Sequence, residues 1–176
     1  MNKFLRILKH RWLDSADTRR LIPDDMAQRL AQRVAASEAR HTGEVRLCVE
    51  ASLPLSYLWR LDRRDTSVGT LTRERAVSWF GRLGVWDTEC NNGVLIYLLL
   101  AEHAIEFVAD RALNEHVDHA QWQAIVDRLS ARLQKGEFED GLTQALEEVS
   151  ALLVAHFPIE TEGVSPNELP DSVVRA

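Results

Sequence analysis

The sequence has few cysteines and none of the common catalytic motifs. Its two cysteines, Cys48 and Cys90, are too few and too far apart to make a disulfide framework or a CxxC metal site. It contains no GxGxxG, Walker loop, GxSxG or Ser-His-Asp signature, which argues against a dehydrogenase, a nucleotide-binding protein or a triad hydrolase. The longest apolar run, 94–101, is far shorter than the roughly 20 residues that a membrane-spanning helix needs.

The chain also lacks a basic stripe, and its charge is unevenly distributed. Residues 1–90 hold 16 Lys and Arg against 12 Asp and Glu, whereas residues 91–176 hold 5 against 15. The net charge of −6 and the absence of cations interleaved with aromatic residues argue against a nucleic-acid partner. We interpret the asymmetry as solvated helix faces, with orientation against a partner or a surface as the alternative.

Residues 2–13 predict a basic amphipathic helix. Phe4, Leu5, Leu8 and Trp12 fall on one stripe at helical spacing, and four cations surround the rest. We expect this helix to cover an edge or face of the domain; peripheral docking on a membrane surface or a partner is the alternative. The first 15 residues have neither the apolar core nor the cleavage site of a secretory signal, so we expect a cytoplasmic protein, peripheral to the inner membrane if the helix docks there.

The rest of the chain predicts one mixed α/β domain over residues 21–157, after an N-terminal segment 1–20 and before a disordered tail 158–176. Strands are expected at 44–51, 93–100 and 104–109, the last two forming an antiparallel hairpin because their connection is short. The first strand alternates, which indicates one better-buried face. Helices are expected at 21–40, 72–83, 118–135 and 137–156. Residues 52–71 carry no clear pattern. The expected fold is a small mixed sheet with helices covering its faces.

The segment 86–100 joins a polar loop to the most apolar run of the chain. Asp87, Glu89, Asn91 and Asn92 place four side-chain oxygen donors within six residues, and Asp110 follows the third strand. Calcium and other hard divalent cations take such oxygens from loops, so these five residues are the candidate metal ligands. The alternative is a turn in which Asp and Asn bond their own backbone. A weaker zinc hypothesis concerns His116 and His119.

Four segments resemble the TPM domain family, which includes a thylakoid lumen protein linked to photosystem II repair and many bacterial proteins. They cover about residues 23–157 and read HTGEVRLCVE, RLGVWDTECNNGVLIYLLL, IEFVAD and KGEFEDGLTQALEEV. Of these, NNGVLI is the most specific. The resemblance implies an α/β/α sandwich. Within the family, the chain resembles a bacterial, cytoplasmic branch.

The resemblance also implies function. Some members of the family are described as acid phosphatases and some as calcium-binding, and their loop acids correspond best to Asp87 and then to Asp110. This chain has Asp110-Arg111-Ala112-Leu113 where many members have a Gly-Tyr-Gly turn, so that turn is not carried over. The implied partner is a LemA-like membrane protein.

Two functions follow as hypotheses. The first is a partner-binding module with a calcium site in the loop Asp87 to Asn92. The alternative is a metal-assisted acid phosphatase that acts on phosphate monoesters through Asp87 and Asp110.

Overall fold

The chain folds into a mixed four-stranded sheet with helices on both faces. The structure is a computed structural model that describes residues 3–61, 66–159 and 168–176. In these ranges the helices are α1 Lys3–Trp12, α2 Ser15–Leu21, α3 Asp24–Glu38, α4 Leu55–Leu58, α5 Val68–Arg82, α6 Arg111–Asn114, α7 His119–Leu133 and α8 Phe138–His156. The strands are β1 Val45–Glu50, β2 Val94–Leu99, β3 Ala104–Ala109 and β4 Val174–Arg175.

The sheet has the strand order β3-β2-β1-β4. β1 and β2 run parallel with Val45 opposite Val94, which requires the crossover through α5. β2 and β3 form the predicted antiparallel hairpin, joined by a 3-10 turn over Leu100–Glu102 and by His103 in the left-handed region. The starts of β1 and β2 and the end of β3 therefore lie at one end of the sheet, which we call the entrance end.

Two apolar clusters cover the two faces of the sheet, which confirms the predicted sandwich. Side chains at alternate positions of β1 and β2, such as Val45 and Ile96, pack with α3, α7 and α8. The intervening positions, such as Cys48 and Leu95, pack with α5 and with Ile7 of α1. The apolar run of β2 is thus explained by burial on both faces.

The prediction of one better-buried face on β1 was wrong. All six residues of β1 are buried, including Arg46 and Glu50. Helices cover both faces, and Glu50 stays buried because it pairs with Arg75 of α5. Alternation of polar and apolar residues cannot distinguish a solvated charge from a paired buried one.

Two predicted helix boundaries also differ. The helix expected at 21–40 is α3, which starts only at Asp24 because Pro23 is its N-cap, while Leu21 ends the separate helix α2. α5 starts at Val68, capped by the Ser67 side chain, which accepts a hydrogen bond from the Thr70 N–H. The expected cap, Thr72, is instead buried and donates its hydroxyl to the Val68 carbonyl.

The prediction of a disordered tail over 158–176 was wrong for residues 168–176. β4 pairs in parallel with β1 through Cys48–Val174 and Val49–Arg175. The Glu44 carboxylate accepts hydrogen bonds from the Glu168 and Leu169 N–H groups, which fixes the approach to the strand. Residues 160–167 lie outside the described residues.

The helix ends near the end of the chain agree with the sequence. Asp118 and Gln121 form the predicted capping box at the start of α7, and Gly136 has the left-handed backbone expected after it. Among the described residues, no helix combines the length and apolarity needed to cross a bilayer.

Candidate functional site

The polar loop before β2 is a series of tight turns. Gly84 leaves α5 with a φ of 71°, and the Asp87 N–H then bonds to its carbonyl at 2.9 Å. A second turn joins the Asn91 N–H to the Thr88 carbonyl, and Asn91 has a φ of 51°. Asn tolerates this left-handed conformation better than most residues, so the local sequence suits the loop.

The turns point the polar side chains in two directions. Asp87, Glu89 and Asn91 are exposed, whereas Thr88 and Asn92 are buried. The Thr88 hydroxyl accepts a hydrogen bond from the Asn92 N–H at 3.2 Å, which draws the loop inward. The four oxygen donors predicted from the sequence are therefore divided between solvent and interior.

The backbone of the loop meets the backbone of Asp110 and Ala112 at the entrance end. The Asp110 N–H donates to the carbonyl of Gly93 at 2.9 Å, which extends the β2–β3 ladder by one step. Asn92 is fully buried, and Asp110 is 7% exposed. The loop therefore lies beside Asp110 through the backbone of Gly93, and the Asn91 carbonyl also accepts a hydrogen bond from the Ala112 N–H.

The side chains of Asn92 and Asp110 each have one buried oxygen that lacks a hydrogen-bond partner. The Asn92 amide nitrogen donates to the Thr42 hydroxyl at 3.0 Å, but its Oδ1 is buried without a hydrogen-bond partner. Asp110 Oδ1 accepts from the Arg111 N–H at 2.7 Å, and Asp110 Oδ2 is buried without a partner. Unpaired buried oxygens are costly, and they are the feature that singles out this position.

Gly93 holds the loop close to the end of α5. A Cβ atom at this position would lie 2.1 Å from the carbonyl oxygen of Val85, closer than any side chain could be accommodated. The glycine in the Asn92-Gly93 pair is therefore required by backbone approach. This contact fixes where the Asn92 side chain enters the interior.

Several more ionisable groups are buried near the starts of β1 and β2. Burial raises the pKa of Glu38 to about 9, while its Oε1 accepts a hydrogen bond from the Val45 N–H at 2.8 Å. Burial also raises the pKa of Glu44 and lowers the pKa of His41 to about 4. His41 contacts the Ser37 hydroxyl at 2.9 Å. This end of the sheet therefore favours neutral forms of its own side chains.

Sequence reasoning missed Thr42 and the buried carboxyl groups beside it. Thr42 orients the Asn92 amide, and its own N–H bonds to the Phe157 carbonyl. The only local signal was the polar segment His41 to Glu44 immediately before a strand. Such a segment usually indicates a loop, so its burial depends on α8 and on residues 168–171, which are distant in sequence.

A second buried polar cluster surrounds Glu50 at the opposite end of β1. Arg75 binds the Glu50 carboxylate with two nitrogens, and Trp79 Nε1 and the Tyr97 hydroxyl donate to Oε2 at 2.9 and 2.6 Å. The four side chains, Glu50, Arg75, Trp79 and Tyr97, are called the Glu50 cluster below. Its donors saturate the carboxylate, so it has the character of a structural ion pair.

His116, one of the two histidines of the zinc hypothesis, is engaged elsewhere. The His116 ring stacks on His156 with centroids 4.6 Å apart, and Asp118 caps α7. Within the described ranges, no three or more His, Cys, Asp or Glu side chains are grouped as a metal site would require. Any cation at the entrance end would therefore bind mainly to amide, hydroxyl and carbonyl oxygens with few carboxylates.

Two surface grooves lie away from the polar loop. One, of about 600 Å³, is lined by apolar side chains of α2, β3 and α7 near Leu100 and Phe138. The other, of about 620 Å³, lies between β3 and α7 beside Trp122. Neither of these two grooves is lined by residues 87–92.

Comparisons with known proteins agree with this architecture. The sequence model of the TPM domain matches residues 15–152. The NMR structure of the BA42 protein from the psychrophilic bacterium Bizionia argentinensis superimposes with a TM-score of 0.71 at 20% identity, covering 88% of this chain and 95% of that one. At that identity the likeness establishes the fold. No curated protein sequence matches the chain.

Proposed function

Because the chain belongs to the TPM domain family, we propose that it is a partner-binding module that holds a divalent cation, calcium in the first instance, at Asn92 and Asp110. One observation carries the proposal: Asn92 Oδ1 and Asp110 Oδ2 are buried oxygens without hydrogen-bond partners at adjacent positions of the sheet end. A cation bound beside either side chain would satisfy its unpaired oxygen.

The donor chemistry suits a hard cation. Calcium takes oxygen ligands from carboxylates, amides, carbonyls and water, and it tolerates irregular geometry. Asp110 supplies a carboxylate and Asn92 an amide oxygen, while Asp87 and Glu89 add negative charge on the exposed side of the loop. With one buried carboxylate, the expected dissociation constant is about 10⁻⁴ to 10⁻³ M.

The test is a calcium titration followed by amide NMR and calorimetry on the wild type, Asp110→Asn and Asp87→Asn. We expect saturable shifts at residues 91–93 and 110–112 in the wild type and their loss in Asp110→Asn. Asp87→Asn is the matched control, because it removes one acid from the exposed side of the loop and should weaken binding by less than about tenfold. The absence of shifts in the wild type at about 10 mM calcium would contradict the proposal.

The second candidate is a metal-assisted phosphatase for phosphate monoesters. It is favoured by the family model, whose name includes the word phosphatase, and by the unpaired Asp110 oxygen, which could hold or activate water. Its other predicted residue, Asp87, is exposed. The test is turnover of an aryl phosphate with calcium or magnesium present. Turnover that Asp110→Asn abolishes without unfolding would support it, and equal turnover in that variant would exclude it.

The proposal includes a protein partner. By family resemblance, this partner is a LemA-like membrane protein, and the chain would meet it in the cytoplasm at the inner membrane. The exposed acids Asp87 and Glu89 are available for such a contact. Mixing the purified proteins with and without calcium, and repeating this with Glu89→Gln, would test the contact.

A further inference from the structure

The helix α1 is attached to the domain by its polar side. His10 is 4% exposed; its Nδ1 accepts a hydrogen bond from the Leu53 N–H at 2.9 Å, and its Nε2 lies 2.8 Å from Glu102 Oε1. Arg6 Nε lies 3.0 Å from the same Glu102 oxygen. Ile7 adds an apolar contact with the cluster under α5. These contacts fix the rotation of the helix about its own axis.

This rotation turns the apolar stripe of α1 towards solvent. Leu5, Leu8 and Trp12 are 56%, 44% and 80% exposed. A surface helix usually buries such a stripe against its own domain. Here the buried side is occupied by Arg6, Ile7 and His10, so the apolar stripe has no partner within the described part of the chain. Trp12 is the most exposed of the large apolar side chains found there.

The surroundings of the stripe are cationic, although the protein is acidic. The first 20 residues hold six Lys and Arg against two Asp and Glu, a net charge of +4, and the remaining residues carry −10. On α1, Arg11 is exposed and Lys9 half-buried. On α2, Arg19 and Arg20 are exposed. The two acids of this segment, Asp14 and Asp17, form the capping box of α2.

We propose that α1 docks the protein on a lipid surface with anionic head groups, with Leu5, Leu8 and Trp12 inserted among the lipids. Helices that lie in the plane of a membrane combine an apolar face of Leu and Trp with Lys and Arg beside it. An anionic surface attracts the cations of α1 and α2 and repels the acidic body, so only this side of the protein can approach it. A neutral apolar partner would not account for the charge.

Anchoring through His10 and Glu102 also lowers the cost of docking. A free ten-residue helix is marginal in water and would have to order on the membrane. The helix of this protein is already formed and oriented, so less conformational entropy is lost on binding. A single short helix with few cations still binds weakly, so we expect reversible attachment that increases with the anionic lipid content.

The experiment is cosedimentation of the full chain with phosphatidylcholine vesicles, with and without about one third phosphatidylserine. We expect binding to the anionic vesicles only, and weaker binding at higher salt. Trp12→Ala should reduce the partition coefficient by about tenfold. Trp86→Ala is the matched control: Trp86 is 54% exposed and lies near the entrance end, away from α1, so its loss should leave binding unchanged.

Three results would overturn the proposal. The first is a wild type that does not bind anionic vesicles. The second is equal binding of the wild type, Trp12→Ala and a Leu5→Ser/Leu8→Ser double variant, all with unchanged circular dichroism. The third is a concentration-dependent dimer that the double variant dissociates, because it would assign the stripe to a second copy of the chain.

Discussion

The two ends of the sheet hold buried polar side chains in opposite states. At the Glu50 cluster, Arg75, Trp79 and Tyr97 supply all the hydrogen bonds that the carboxylate can use. At the entrance end, oxygens of Asn92 and Asp110 and Nδ1 of His41 are buried without a partner. A saturated cluster stabilises one conformation, whereas an unsaturated one retains the capacity to bind. Three perturbations test this contrast.

The largest effect is expected at the saturated end. Arg75→Met leaves the Glu50 carboxylate buried without its cation, which should lower the free energy of unfolding by about 3–5 kcal/mol in urea denaturation. The control is Arg60→Met, which breaks an exposed Arg–Glu pair and should lower the free energy of unfolding far less. Equal losses in the two variants would show that the Glu50 cluster is not the stabilising one.

An intermediate effect is expected from Glu38, and it depends on pH. Its pKa is about 9 in the folded protein against 4.5 in the unfolded chain. Between these values the folded state keeps a proton that the unfolded state releases, so stability falls as pH rises, by at most about 2.7 kcal/mol from pH 6 to pH 8.

Glu38→Gln removes this titration and keeps an acceptor for the Val45 N–H. Urea denaturation at pH 6, 7 and 8 should therefore show a flatter profile for Glu38→Gln than for the wild type. Glu147→Gln, at an exposed side chain of α8, should keep the wild-type slope. Parallel profiles for the wild type and Glu38→Gln would rule out a raised pKa at Glu38.

The smallest effect is expected at Asp110. Without calcium, Asp110→Asn should change the free energy of unfolding by less than about 1 kcal/mol, because the replaced oxygen makes no hydrogen bond. At calcium ten times the dissociation constant, the wild type should gain about 1.4 kcal/mol and the variant nothing. Thermal denaturation with calcium or with a chelator measures the difference, and equal gains would place the cation elsewhere.

The sequence predicts most of the sandwich, because its signals are local. The alternation in β3, the short turn at His103 and the capping residues Asp118 and Gly136 lie within a few residues of the structures they specify. β4 could not be found in this way, since a two-residue strand has no periodicity and depends on β1 for its hydrogen bonds. The sequence predicts the start of α5 at Thr72, an acceptable cap, whereas the cap in the structure is Ser67.

The candidate site was predicted only in part, for a related reason. The composition of the loop predicts oxygen donors. The direction of the Asn92 side chain, however, depends on the close approach of Gly93 to Val85 and on the hydrogen bond from Asn92 to Thr42. The same limit applies to α1. Its stripe is evident from spacing, whereas its outward orientation follows from the pairing of His10 with Glu102, 92 residues away.

The pairing of β4 with β1 has a consequence for folding during synthesis. The Glu44 carboxylate accepts a hydrogen bond from the Glu168 N–H, which lies 124 residues further along the chain. The outer edge of β1 therefore stays open until β4 has left the ribosome. An open strand edge can pair with other chains. The nascent protein is therefore exposed to edge-to-edge association until β4, a two-residue strand, has been synthesised.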